Sequence, residues 1–182
     1  MKKYQIIYAD PPWKYNVWSD KGTGRSPEGM GHYEVMDMVD IANLPVGDLA
    51  DKNCALFMWV TFPSMPMALK IMKLWGFQYK TMAFTWVKRN KKSDSWFWGM
   101  GKWTRANPEI CLIGTIGHPK RISNSVHSVI DSRIREHSQK PDEIRDRIVK
   151  LMGDIPRIEL FARQKVEGWD CWGNEVESEI EL

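Results

Sequence analysis

The sequence predicts an α/β domain with a mostly parallel central sheet flanked by helices, and three observations predict it. An apolar run, Tyr4 to Ala9, stops abruptly at Asp10-Pro11-Pro12-Trp13. Cys54 to Val60, Met65 to Trp75 and Phe77 to Val87 read as strand, helix and strand joined by short links, a βαβ unit that makes a parallel pairing. Pro141 to Met152 is an amphipathic helix leading into another apolar strand, Ile158 to Phe161. With 182 residues, 43% of them hydrophobic and 27% charged, the chain is long and apolar enough for one globular domain, expected to span 1–182.

The first run ends in an acid followed by two prolines. Proline has no N–H to give a sheet ladder, so Asp10 should lie where a strand leaves the sheet, at its carboxyl end. That is the edge at which open α/β sheets bind ligands. Residues before proline are kept out of the α region, so Asp10 and Pro11 are both held extended. The group that fits a carboxylate, the adjacent Pro11 carbonyl and the Trp13 ring is an exocyclic amine on a planar base. Both its N–H groups would find acceptors while its ring lies against the indole. The competing reading is a rigid turn with Trp13 as core filling.

Residues 14–31 lack apolar periodicity and contain Gly22, Gly24, Pro27, Gly29 and Gly31, which predicts a long loop that either covers a substrate or simply lies at the surface. Asp37 to Leu44 reads as a short helix stopped before Pro45. Cys54 to Val60 is continuously apolar, as in a strand buried on both faces. The helix from Met65 carries Leu69, Met72 and Trp75 at helical spacing and stops at Gly76. Residues 89–107 form a second long loop mixing Lys91, Lys92, Lys102 and Arg105 with Trp96, Phe97, Trp98 and Trp103, which suits a base and its flanking phosphates or a solvated hairpin with buried rings. Glu109 to Thr115 and Val126 to Arg135 read as strands, and the turn Gly117-His118-Pro119-Lys120-Arg121 between them could meet phosphate. Pro141 in the first turn, Asp142 and Glu143 at the positive dipole end and Gly153 after the last turn bound the final helix. A short strand around Trp169 to Trp172 closes the chain.

A net charge of +3 does not by itself demand a nucleic-acid partner. Cys54, Cys111 and Cys171 are isolated and odd in number, which suggests reduced thiols in a cytoplasm. The four histidines form no ligand pair, so no metal is expected. The chain enters a strand at once, without the pattern of a signal peptide, and its longest apolar run is too short to span a bilayer, so no membrane association is expected. Most of the ten tryptophans should be core or groove lining.

Asp10-Pro11-Pro12-Trp13 resembles the motif of the DPPW-type (MT-A-seventy-like) adenine methyltransferases. The similarity continues through Gly31 to Met36, Leu56 to Val60, Leu74 to Phe77, Trp86 to Lys88, Ser138 to Glu143, Ile158 to Arg163 and Gly173 to Glu175, in the family's order. The resemblance implies a circularly permuted Rossmann-like fold, with the catalytic segment N-terminal and the segment for the cofactor, S-adenosylmethionine, C-terminal. It also explains why no G-x-G-x-x-G turn occurs: Phe161-Ala162-Arg163 is similar to the family's degenerate cofactor loop.

By the same resemblance Asp10, Pro11, Pro12 and Trp13 are catalytic. Asp10, Lys140, Phe161, Arg163, Lys165, Asn174 and Glu175 hold the cofactor, whose product is S-adenosylhomocysteine. Trp13, Tyr15, His32, Tyr33, Lys88, Trp103, Arg105, Lys120 and Arg121 are the candidates for meeting nucleic acid. The expected reaction is direct in-line methyl transfer to the N6 amine of adenine, in DNA in preference to RNA because the compact chain resembles stand-alone bacterial and phage enzymes of DNA modification. An RNA enzyme, or a non-catalytic nucleic-acid-binding subunit, is the alternative. A homodimer or a heteromeric partner is left open.

Overall fold

Two strands with apolar residues on both faces anchor the architecture. A computed structural model describes residues 2–13, 36–101, 103–136 and 138–182. In β1 (Tyr4–Ala9), Ile7 and Ala9 point to one side of the sheet and Ile6 and Tyr8 to the other; in β2 (Ala50–Val60), Leu56 and Met58 oppose Ala55, Phe57 and Trp59 in the same way. Each face therefore needs a helical cover.

The first face is covered by α1 (Met38–Asn43), capped by the Asp37 carboxylate accepting from the Val39 N–H, and by α2 (Met65–Leu74). These helices contribute Ile41, Ala68, Ile71 and Met72 to one core. Of the residues read at helical spacing, Met72 and Trp75 are buried on this face, whereas Leu69 is exposed and Ala68 takes the buried position in its place. The second face is covered by α3 (Glu143–Met152), which buries Ile144, Ile148 and Met152.

The other strands are β3 (Gln78–Arg89), β4 (Glu109–Ile116), β5 (Val129–Arg133), β6 (Arg157–Leu160) and β7 (Asp170–Trp172), in the order β5-β3-β4-β2-β1-β6-β7. Four of the six pairings are parallel, and the two antiparallel ones both involve β4. β2 and β3 run in the same direction, as the strand–helix–strand reading requires, but they are not neighbours. β4 returns from the connection 90–108 and inserts between them, pairing Met58 with Leu112 and Met82 with Leu112. The first strand in sequence is thus interior, fifth of seven, and the strand before Phe161 lies beside it in sixth place, which is the permuted Rossmann-like order.

This topology fixes what can meet. The carboxyl ends of β1, β2, β3, β5, β6 and β7 and the amino end of β4 share one edge of the sheet. Asp10, Arg89, Glu109, Phe161 and the segments after β5 and β7 are brought together there.

Candidate active site

Asp10 follows β1 directly, and the pairing of Ala9 with Leu160 sets it beside Phe161, with the Asp10 N–H directed at the Leu160 carbonyl at 3.5 Å. The segment after β5 brings Lys140 to the same place, where its ammonium donates to the Asp10 carboxylate at 2.8 Å and to the Ser138 carbonyl at 3.1 Å. Ser138 has φ 60°, a left-handed conformation disfavoured for a residue with a side chain, and it turns its carbonyl toward that ammonium. Glu109, opening β4, lies 3.4 Å from the same ammonium and also pairs with Lys88 at the end of β3. Lys88, Glu109, Lys140 and Asp10 therefore form an alternating chain of charges, with the Lys140 side chain only 9% exposed.

The floor of this chain is aromatic. The Trp59 ring centre is 5.7 Å from the Lys140 nitrogen, its indole N–H donates to the Tyr8 hydroxyl at 2.7 Å, and its carbonyl accepts from the Trp13 indole at 2.8 Å. Burial here pushes the Asp10 carboxyl above the ordinary carboxylate range, with Lys140 only partly offsetting it. Burial also acts on Glu109, but Lys140 and Lys88 outweigh it and hold that carboxyl down to about 2. Burial would lower Lys140, yet the two carboxylates hold it above its ordinary value, so it stays charged.

Of the expected catalytic tetrapeptide, Asp10 is available at the edge, with a quarter of its side chain exposed. Trp13 is 5% exposed and belongs to the core. Its indole N–H is committed to the Trp59 carbonyl, so it supports the floor. The Pro11 carbonyl accepts the Trp13 N–H at 2.8 Å, which leaves it one further lone pair. Tyr15, His32 and Tyr33 lie outside the described residues.

Phe161 adopts φ 61° where the chain leaves β6, and its ring meets Trp172 edge-on at 5.3 Å. Ala162 is buried, with its N–H donating to the Trp172 carbonyl, and Gly173 passes close against its main chain. A Cβ at Gly173 would lie 2.7 Å from the Ala162 nitrogen and closer still to its oxygen. Arg163 pairs with Glu175 at 3.0 Å, so these two candidates and exposed Asn174 cluster past the ends of β6 and β7.

Four of the expected contact residues are paired with other groups or lie apart from Asp10. Lys165 is drawn to the acidic tail, 2.9 Å from Glu179 and 3.5 Å from Glu177, by charge complementarity. Lys88 pairs with Glu109 and is largely covered. Lys120 and Arg121 follow β4, whose antiparallel course carries them to the opposite edge of the sheet from Asp10. There the His118 N–H meets the Asn53 side chain, and the Ile122 N–H meets the Leu151 carbonyl at the end of α3. By contrast, Trp103 and Arg105 rise from the Asp10 edge and are exposed.

Sequence reading missed Glu109, Trp59 and Tyr8. A charged residue opening an otherwise apolar strand is the only local signal for Glu109, and its meaning depends on the reversed direction of β4. Among the described residues no cluster of three or more histidines, cysteines and acids could hold a metal, and no helix is long and apolar enough to cross a membrane.

Comparison with known proteins places this geometry in context. The profile of the MT-A70 family matches residues 4–175. The chain is 35% identical over its full length to the type II methyltransferase M.MunI of a Mycoplasma species, spanning 82% of that protein. It is 30% identical to an N(6)-adenosine-methyltransferase MT-A70-like protein of Arabidopsis thaliana and 31% identical to the human N(6)-adenosine-methyltransferase catalytic subunit METTL3. These similarities cover 95% and 96% of the chain but only 24% and 28% of those longer proteins.

Proposed function

The chain belongs to the MT-A70 family, and on that premise we propose that it transfers a methyl group from S-adenosylmethionine to the N6 amine of adenine in DNA. The observation that carries this reading is the side-by-side exit of β1 and β6, which sets the Asp10 acceptor next to the Phe161 turn at one sheet edge.

The donor groups at that edge fit the cofactor. The Lys140 ammonium and the Asp10 carboxylate, 2.8 Å apart, complement the carboxylate and ammonium of an amino-acid end. Glu175 and Asn174 offer acceptors to ribose hydroxyls, and Phe161 and Arg163 line the turn between. When bound, S-adenosylmethionine supplies an electrophilic methyl group on a sulfonium.

The protein's part is positioning and polarisation. The Asp10 carboxylate and the Pro11 carbonyl hold the two amine N–H groups and draw the nitrogen lone pair out of conjugation with the ring. Burial of Asp10 makes its carboxylate a better acceptor as that nitrogen gains positive charge. No enzyme nucleophile is required, and the thiol of Cys111, the cysteine nearest in charge terms to Asp10, is pushed up by burial.

DNA is favoured over RNA because the chain spans 82% of the type II methyltransferase M.MunI, whereas the named adenosine methyltransferases carry most of their length outside the matched region. The whole of 1–182 is read as one methyltransferase domain. The deciding experiment is transfer of labelled methyl to unmethylated duplex DNA, single-stranded DNA and RNA, with Asp10→Ala as control. Label in DNA adenine that disappears in the control is expected. Label only in RNA overturns the substrate, and no cofactor binding at all favours a non-catalytic nucleic-acid-binding subunit.

A further inference from the structure

The tryptophans described outside residues 89–107 are buried or half-buried, whereas the three on that connection are exposed: Trp96 at 42%, Trp98 at 55% and Trp103 at 98%. Met100 beside them is 83% exposed. Apolar rings clustered in water on one element mark a contact surface.

The element is a hairpin with a fixed base. The buried Asn107 side chain donates to the carbonyls of Lys88 and Phe97 and accepts the Lys88 N–H, all at 2.6–2.9 Å. Gly99 and Ala106 exchange both backbone hydrogen bonds, and Arg89 lies over the Trp96 ring at 4.2 Å while pairing with Asp131. At the tip a Cβ on Gly101 would collide with the Thr104 carbonyl, so the turn that presents Trp103 is tight. The base of this stalk also carries Lys88 and Glu109, tying it to Lys140 and Asp10.

Charge identifies the partner. Residues 89–107 hold five basic side chains and one acid, a surplus of four, while the whole chain carries +3. The net positive charge of the protein is therefore concentrated on the hairpin that exposes its aromatic rings, the combination that suits stacked bases and phosphates.

Resting on the DNA-adenine reading above, we propose that Trp103 is a wedge that fills the stacking gap left in duplex DNA when the target adenine swings out toward Asp10. A base inside a duplex cannot reach an acceptor recessed at the sheet edge without leaving the stack, and an inserted ring offsets part of the unstacking cost.

The test compares wild type, Trp103→Ala and Trp103→Phe on an intact duplex, its single strand, and the same duplex with an abasic site opposite the target adenine. Trp103→Ala should lose about 10- to 100-fold in methylation of the intact duplex. Trp103→Phe should lose less, and the losses on the other two substrates should be at least about tenfold smaller than on the duplex. Equal losses on all substrates, or none on any, overturn the wedge. So does a wild-type dimer in sedimentation that Trp103→Ala converts to monomer, which would make the tip a protein interface. Wild-type activity confined to single strands overturns the wedge while leaving adenine methylation intact. Absence of adenine methylation in every nucleic acid removes the proposed function and the wedge with it.

Discussion

The Lys140 ammonium lies 2.8 Å from the Asp10 carboxylate across 130 positions of sequence. With burial pushing Asp10 up and Lys140 countering it, the ionisation of the acceptor acid is set by its neighbours. Methyl transfer requires the carboxylate, so kcat/KM should fall with decreasing pH as Asp10 protonates. Lys140→Met removes the counter-charge and should move that fall to higher pH. Glu109→Gln removes a negative neighbour and should move it to lower pH. Opposite displacements in the pH profiles are the expected result, and identical profiles would sink the electrostatic account. Asp10→Asn, nearly isosteric, should lose about 10²–10³-fold or more in kcat while remaining folded, as for loss of one preorganised polar group.

Glu109 should also matter to stability. Its folded-state value of about 2 is depressed from an ordinary 4.5. The stabilisation is therefore fully present above the unfolded value and is lost as pH falls from about 4.5 toward 2, a contribution on the order of 3 kcal/mol. Glu109→Ala leaves the partly buried Lys88 ammonium without its carboxylate and removes one of the two that flank Lys140, and should destabilise by about 3 kcal/mol near neutral pH. Urea unfolding of wild type and variant should then converge as the pH approaches 2. A constant difference across that window would assign the loss to packing.

The position of the 117–121 turn yields a sharp contrast. Lys120→Ala and Arg121→Ala act at the sheet edge opposite Asp10 and should change methyl transfer by no more than about twofold, as expected of surface substitutions away from a site. Arg105→Ala, on the exposed hairpin at the Asp10 edge, should weaken nucleic-acid binding and lower the steepness of its salt dependence by about one. Titration over a series of salt concentrations distinguishes the two positions.

Much of this was legible in the sequence because it is local. The proline pair after Asp10 marks where a strand must end, the apolar run Cys54 to Val60 signals burial on both faces, and Gly153 marks the end of α3. The direction of β4 was not legible, because nothing within Glu109–Ile116 says that it inserts antiparallel between β2 and β3. That one fact places Glu109 beside Lys140, removes Lys88 from solvent and carries Lys120 and Arg121 to the far edge. Likewise, Trp13 looks the same in sequence whether it stacks on a ligand or donates to Trp59. Only the packing separates those roles.

Gly173 provides the last prediction, and it links the cofactor segment to its backbone. The Ala162 N–H donates to the Trp172 carbonyl, and the next residue, Gly173, passes so close that any side chain would press on the Ala162 main chain. Gly173→Ala must therefore push apart the ends of β6 and β7, at a cost of about 2–3 kcal/mol as in other overpacked sites. The displacement falls between Phe161, Arg163 and Glu175, all proposed to contact S-adenosylmethionine, whereas Asp10 lies on the other side of β6 from β7. Calorimetric titration should show cofactor affinity lost by about tenfold or more, since a shift of even an ångström spoils directed hydrogen bonds. Binding of DNA alone should be much less affected, because the hairpin springs from β3 and β4. Unchanged cofactor affinity in a folded Gly173→Ala protein would show that the close approach serves the sheet and not the ligand.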